Sequence, residues 1–195
     1  MSRLRAAVKS LAYSGLMRDR WQRPDEVLAV LDLHGGQRVA DLGAGGGYFT
    51  YRLARAVGSE GRVYAVDTDS DMRARIEALA VRKGYSNIVT VEPREDEVGL
   101  PPVDRVLIVN AFHHLPDARA SYFQGLARAL QPGGRVAVIE ARPRWFLFGH
   151  ATEPEQVRSI LTAAGYTAIG EYDFLPGQSF QVFEHVNDRS SPSSR

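Results

Sequence analysis

The sequence predicts an α/β fold: five parallel strands in a doubly wound sheet, helices on both faces, and a C-terminal hairpin. Three observations carry this. Five short β-branched runs (Arg38–Gly43, Arg62–Asp67, Asn87–Glu92, Asp104–Asn110, Arg135–Glu140) are apolar on both faces, as buried parallel strands are. Helix-period segments separate them, which sets up right-handed crossovers. The last two strand runs, Thr167–Phe174 and Ser179–Val186, are joined only by Leu175–Gln178. A link that short makes an antiparallel hairpin, because a parallel crossover needs a dozen residues or more.

Taken in order, residues 1–23 form a basic helical extension. Leu4, Val8 and Leu11 recur at helical spacing, and Arg3, Arg5, Lys9, Arg18, Arg20 and Arg23 face one acid, Asp19. Lys9 interrupts the apolar run, so a secretory core is not expected. The segment reads as a helix packed on the domain; a peripheral membrane or partner contact is the alternative. Arg23–Gly36 is a helix with Pro24 near its start and Gly35 past its end. Tyr48–Val57 carries Phe49, Leu53, Ala56 and Val57 at helical period. Ser70–Arg82 opens on Ser70 and Asp71, good N-terminal residues, and continues through Met72, Ile76 and Leu79. Ala118–Leu130 is a helix stopped by Gln131–Arg135. Glu153–Tyr166 is a helix with Gly165 at its C-terminal end. Residues 24–187 make one domain, and the polar tail 188–195 is expected to be disordered.

The chain has 195 residues, 24 Lys and Arg against 23 Asp and Glu, and no Cys. The near-neutral balance shows no global basic field of the kind non-specific nucleic-acid binders carry. The absence of Cys excludes disulfides, Cys-ligated zinc and thiolate catalysis. No run has the apolar length of a membrane span. A cytoplasmic protein, monomer or homodimer, is expected.

Ligands of open α/β sheets bind beyond the carboxyl ends of the strands. There the first strand runs into Asp41, Leu42, Gly43, Ala44, Gly45, Gly46, Gly47 and Tyr48. A dinucleotide loop requires G-x-G-x-x-G, and counting from Gly43 the sixth position is Tyr48, so that form fails. The pattern is D-x-G-x-G-x-G on Asp41, Gly43, Gly45 and Gly47. A carboxylate there repels a pyrophosphate but favours a cationic ligand that donates hydrogen bonds. S-adenosylmethionine, with a sulfonium, an ammonium and no phosphate, has that chemistry. The loop from Gly43 through Ala44 to Gly47 lets it lie against backbone.

Asp67 ends the second strand run, where a carboxylate accepts both hydroxyls of a ribose. Thr68 follows, and Met72 lies along the nucleoside from the next helix. Asp96, in the acid-rich loop after the third strand, accepts from the adenine amino group, with the Glu97 N–H toward the ring. Solvated surface is the alternative for that loop. Asn110 ends the fourth strand and reaches the donor pocket. His113 and His114 stand at its mouth with an intrinsic pKa suited to general bases; a structural or positioning role is the alternative. No suitably spaced third ligand accompanies the pair, so no metal is expected.

On these residues the chain resembles the class I S-adenosylmethionine-dependent methyltransferases, from about Pro24 to Val186. The resemblance is carried by Val39–Thr50 ("VADLGAGGGYFT"), Val63–Asp69 ("VYAVDTD"), Asn110–Asp117 ("NAFHHLPD") and Leu126–Glu140. More closely it is similar to small bacterial methyltransferases of the ubiquinone/menaquinone-biosynthesis-like type, through "WQRPDEV" at Trp21–Val27 and "YDFLP" at Tyr172–Pro176. It departs at Gly46, where Thr or Ser is common, and at Glu92–Pro93. The resemblance implies a Rossmann-like seven-stranded sheet whose last strand inserts antiparallel between the fifth and sixth. It also implies an enzyme that moves a methyl group to a small-molecule acceptor by in-line displacement. The acceptor is expected between Ala141–Pro154 (with Trp145, Phe146, Phe148 and His150), the His113–His114 pair, and Tyr13 and Trp21. Arg142 and Arg144 there suit an acidic group. RNA methylation through the basic N-terminal segment is an alternative. Against it, "NAFHH" stands where an Asn-Pro-Pro-aromatic motif would read base amino groups. A non-catalytic donor-binding protein is the other alternative.

Overall fold

The computed structural model of the chain describes residues 15–93, 99–115, 119–142 and 151–186. Helices α1 (Gly15–Gln22) and α2 (Pro24–Leu31) lead into strand β1 (Arg38–Leu42). Then follow α3 (Thr50–Val57), β2 (Arg62–Val66), α4 (Ser70–Lys83), β3 (Ile88–Val91) and β4 (Val103–Val109). A 3-10 turn at Phe112–His114 precedes α5 (Arg119–Ala127), β5 (Leu130–Ala141), α6 (Pro154–Ala163), β6 (Tyr166–Tyr172) and β7 (Gln178–His185). Residues 1–14 of the expected extension and the tail 188–195 lie outside the described residues.

The seven strands run in the order β3-β2-β1-β4-β5-β7-β6. The first five pair in parallel, and β7 is antiparallel to both neighbours. The sheet class read from the sequence is therefore the one formed, and the last strand is inserted as the resemblance implies. The cause is geometric. The α6 crossover returns the chain one place beyond β5, and the short β6–β7 link folds β7 back into the gap.

Two apolar layers clamp the sheet. On one face Val27 and Leu31 of α2 and Leu53 and Val57 of α3 pack on Val39, Val63, Leu107 and Ile139. Ile76 of α4 joins this face through Ala65. On the other, Tyr122, Phe123 and Leu126 of α5 and Val157 and Leu161 of α6 pack on Val106, Ile108, Val136 and Val138. The carboxyl ends of β1, β2, β4 and β5 thus open at one edge between the two helical layers.

Three boundaries differ from the sequence reading. Helix α2 stops at Leu31, before Gly35. Asp32 turns left-handed (φ 50°), and the buried Arg105 guanidinium takes the Leu31 carbonyl at 3.0 Å in place of a further helical N–H. Helix α5 ends at Ala127, and Gln131–Gly134 lies inside β5. Val103 pairs with Leu130 and Arg105 with Arg135, so these four residues form an outward bulge around Gly133 (φ 75°). The cap of α4 is Asp69, one residue before Ser70. Its Oδ1 accepts the Asp71 and Met72 N–H groups at 2.8 and 3.3 Å.

Candidate active site

The three glycines after β1 do different work. Gly43 has φ 72°, and a Cβ added there falls 2.3 Å from the Ala111 Cβ; Gly47 has φ 80°, and its Cβ meets the Tyr51 ring at 2.7 Å. Both are required by packing within the protein. Gly45 has φ 51° with nothing within 4 Å of an added Cβ. It is the glycine that faces open space, where a ligand can approach backbone. Ala44 instead turns its methyl into the core against Ala65 and Ile76. The loop is tied to β2 by the Gly43 and Ala44 N–H groups, which donate to the Val66 carbonyl at 2.8 and 3.1 Å.

Asp67 ties Gly45 in place. Its Oδ2 accepts the Gly45 N–H at 2.7 Å and its Oδ1 accepts the Asp69 N–H at 2.9 Å. Each oxygen keeps a second lone pair, as acceptance from paired hydroxyls requires. Thr68 is exposed; its carbonyl and that of Asp67 both accept from Arg73. Met72 is half-buried in the first turn of α4.

Asp41 is 3% exposed at the end of β1 and accepts the Thr50 hydroxyl at 2.6 Å. Burial raises its pKa to about 6, opposed by the Thr50 bond and by the nearby Arg18 guanidinium. Arg18 comes from α1 and lies 3.8 Å over the Tyr48 ring. Asp19 holds the same helix down by accepting from the Tyr48 hydroxyl at 2.5 Å and from Arg52 at 2.7 Å. The described part of the basic extension therefore packs beside the glycine loop.

At the end of β4, Asn110 has a left-handed backbone (φ 50°), and its Oδ1 accepts from Gln178 of β7 at 2.8 Å. His113 follows in the 3-10 turn, with Nδ1 3.0 Å from the Oε1 of Glu140. Glu140 has no exposed surface and also accepts the Phe112 and Ala141 N–H groups, both at 3.1 Å. Burial lifts its pKa to about 7 against these hydrogen bonds. His114 is exposed, its ring centroid 4.0 Å from that of His113. A buried carboxylate on Nδ1 fixes the orientation of the His113 ring.

Glu140, Gln178 and Gln22 escaped the sequence reading. A signal existed for the first. Glu140 ends an apolar strand run at the same sheet edge as Asp41 and Asp67. Gln22 lies in the Trp21–Val27 stretch, but nothing local marks its role or that of Gln178. Asp96, Glu97, Tyr13, Arg144, Trp145, Phe146, Phe148 and His150 lie outside the described residues. Among the described residues no group of three His, Cys, Asp or Glu is placed to hold a metal, and no helix is long and apolar enough to cross a membrane.

The domain is thus a parallel α/β sheet with one inserted antiparallel strand, an acid-led glycine loop after β1 and an acid just past β2. The fold is that of the class I S-adenosylmethionine-dependent methyltransferases. Residues 39–134 match the "Methyltransferase domain" family model. A solved S-adenosylmethionine-dependent methyltransferase from Aquifex aeolicus is 25% identical with TM-score 0.76, over 91% of this chain and 96% of that one. A protein-L-isoaspartate O-methyltransferase of Anaeromyxobacter dehalogenans (strain 2CP-C) is 34% identical over 75% of this chain and 63% of its own length. The ubiquinone/menaquinone biosynthesis C-methyltransferase UbiE of Francisella philomiragia is 28% identical over 62% and 48% respectively. The chain spans only 27%, 44% and 54% of the first curated relatives it matches.

Proposed function

We propose that this protein transfers a methyl group from S-adenosylmethionine to a small-molecule acceptor. One observation carries the reading. Gly45 presents left-handed backbone to open space while its N–H is held by Asp67, beside the buried Asp41. Such a cradle suits a cationic nucleoside. Asp67 would hold the ribose, Asp41 would face the ammonium end, and Thr68 and Met72 would flank the nucleoside. Asp96 and Glu97 remain the proposed adenine contacts.

S-adenosylmethionine supplies a methyl group already activated on a sulfonium. The chain then has to position the acceptor, exclude water and take up its proton. His113, at the mouth of the site, would take up the proton that the acceptor gives up. Glu140 holds the imidazole in place and favours the imidazolium. His114 orients His113 by ring contact or takes the same role. Arg142, anchored by its Nε on the Gln178 carbonyl at 3.3 Å, suits an acidic acceptor. The relatives named above act, by their names, on a protein residue and in quinone biosynthesis, so they favour no one acceptor.

Incubation of the protein with S-adenosylmethionine and a metabolite extract should release S-adenosylhomocysteine. His113→Ala should reduce turnover far more than donor affinity. Absence of any thermal shift with millimolar S-adenosylhomocysteine sinks the donor reading. A second reading, RNA methylation, is favoured by a cleft of about 590 Å³ between α1 and α3. Arg20, Arg55 and Lys83 line it with Tyr51 and Tyr85, whose rings lie 5.7 Å apart. Cations beside a tilted pair of rings suit a nucleic-acid strand, though Asp19, Asp25 and Glu26 share the wall. A steep salt dependence of RNA binding supports that reading, and salt-independent weak binding removes it.

A further inference from the structure

The Trp21–Val27 stretch contains a side chain that the donor reading leaves unused. Gln22, in the last turn of α1, is polar yet has no exposed surface. Its Nε2 donates to Gln178 Oε1 at 3.2 Å. Gln178, 2% exposed at the start of β7, donates through Nε2 to Asn110 Oδ1 at 2.8 Å. Three amides thus form one directed chain from α1 through β7 to the end of β4. Its polarity is concerted, because an amide has its acceptor and its donors at opposite ends. One cannot turn over without breaking its neighbour's bond.

The two ends of this chain differ. At Gln22 it stops on Oε1, which is buried and has no hydrogen-bond partner. At Asn110 the Oδ1 is committed to Gln178, so Nδ2 is the group left to face the site. Asn110 adjoins the glycine loop. The next residue, Ala111, occupies the space opposite Gly43. An apolar side chain at position 22 would fill the same volume but leave Gln178 Oε1 buried without its donor, so the amide serves to hold Gln178 rather than to pack.

We propose that Gln22 and Gln178 are positioning residues for the donor site, holding the Asn110 amide with its NH2 outward as a fixed hydrogen-bond donor to the bound ligand. The proposal rests on the donor reading above. The link between α1 and the site then runs through a chain of bonds, with no contact between Gln22 and the ligand.

The test is calorimetric titration of the full chain with S-adenosylhomocysteine, beside thermal melts. Gln22→Met should weaken binding about five- to tenfold while leaving Tm close to the wild-type value, since the unbonded acceptor at position 22 is only exchanged for Gln178 Oε1, which loses its donor. Asn110→Ala should weaken binding as well. The double variant should bind no worse than Asn110→Ala alone, because Gln22 acts only through Asn110. Multiplying losses in the double variant, or an unmoved constant in Gln22→Met, overturns the proposal. If Gln22→Met does not fold, Gln178→Met carries the same comparison. Failure of the wild type to bind S-adenosylhomocysteine sinks the donor reading itself. Binding by the wild type with a silent Gln22→Met sinks only the positioning role.

Discussion

The glycine loop and the amide chain meet at Asn110 and Ala111, yet they are built over very different sequence distances. The bond from Gly45 to Asp67 spans 22 residues. The bonds that reach Asn110 from the other side span 68 and 156 residues. The loop follows from one strand–turn–helix unit and its parallel neighbour. The amide chain exists only once α1, β4 and β7 have all docked. Local construction concentrates the donor-side chemistry in a readable motif, and long-range construction spreads the supporting groups where no motif records them.

The sharpest way to break this comparison is within the loop. Gly43→Ala should cost about 3 kcal/mol or more, because the added methyl meets Ala111 and the backbone is left-handed. Gly45→Ala should cost only about 1–2 kcal/mol, the left-handed penalty alone. The paired thermal melts test this, and equal losses would refute the division of roles between the two glycines. Calorimetry should then show that Gly45→Ala, despite its milder effect on folding, loses donor affinity.

Asp67→Ala comes next in size. Donor affinity should fall by roughly 1–3 kcal/mol, since both the ligand hydroxyls and the Gly45 N–H lose their acceptor. A titration that leaves the constant unchanged would move the ribose elsewhere.

On the long-range side, Glu140 gives a signed pH effect. Its folded-state pKa of about 7 lies above the ordinary 4.5. The folded protein therefore binds the proton more tightly, and this contribution to stability is present below about pH 4.5 and lost as pH rises through about 7. Glu140→Gln removes the dependence. Relative to wild type, the variant should gain about 1–3 kcal/mol between pH 5 and pH 8, measured by denaturant melts. A flat difference would mean that Glu140 titrates normally.

The smallest effect concerns Asp41. Its pKa, raised from 3.8 to about 6 by burial, means that the carboxylate a cationic ligand prefers is lost as pH falls through 6. Affinity for S-adenosylhomocysteine should decline from pH 7 to pH 5 in the wild type and stay level in Asp41→Asn. Parallel slopes would remove Asp41 from the ammonium end.

By itself the sequence determined the sheet class, its five parallel strands with an antiparallel terminal hairpin, and the glycine pattern around Gly45. Each follows from a local cause: apolar runs buried on both faces, a link too short to cross over, and glycines at positions of positive φ. It also marked Asp41, Asp67 and Asn110, because acids and amides ending parallel strands all arrive at one edge. Only the tertiary structure decided which glycine is open, since Cβ atoms at Gly43 and Gly47 would meet Ala111 and Tyr51, the first of them just past a strand far along the chain. Only it separated His113 from His114, by bringing Glu140 of the neighbouring strand under one ring. Boundaries shifted for the same reason: the Arg105 side chain ends α2, and pairing with β4 draws Gln131–Gly134 into β5. Hydrophobic period and turn chemistry act within a few residues of the chain. Burial, cross-strand pairing and the partners of buried polar groups are set by neighbours that meet only after folding.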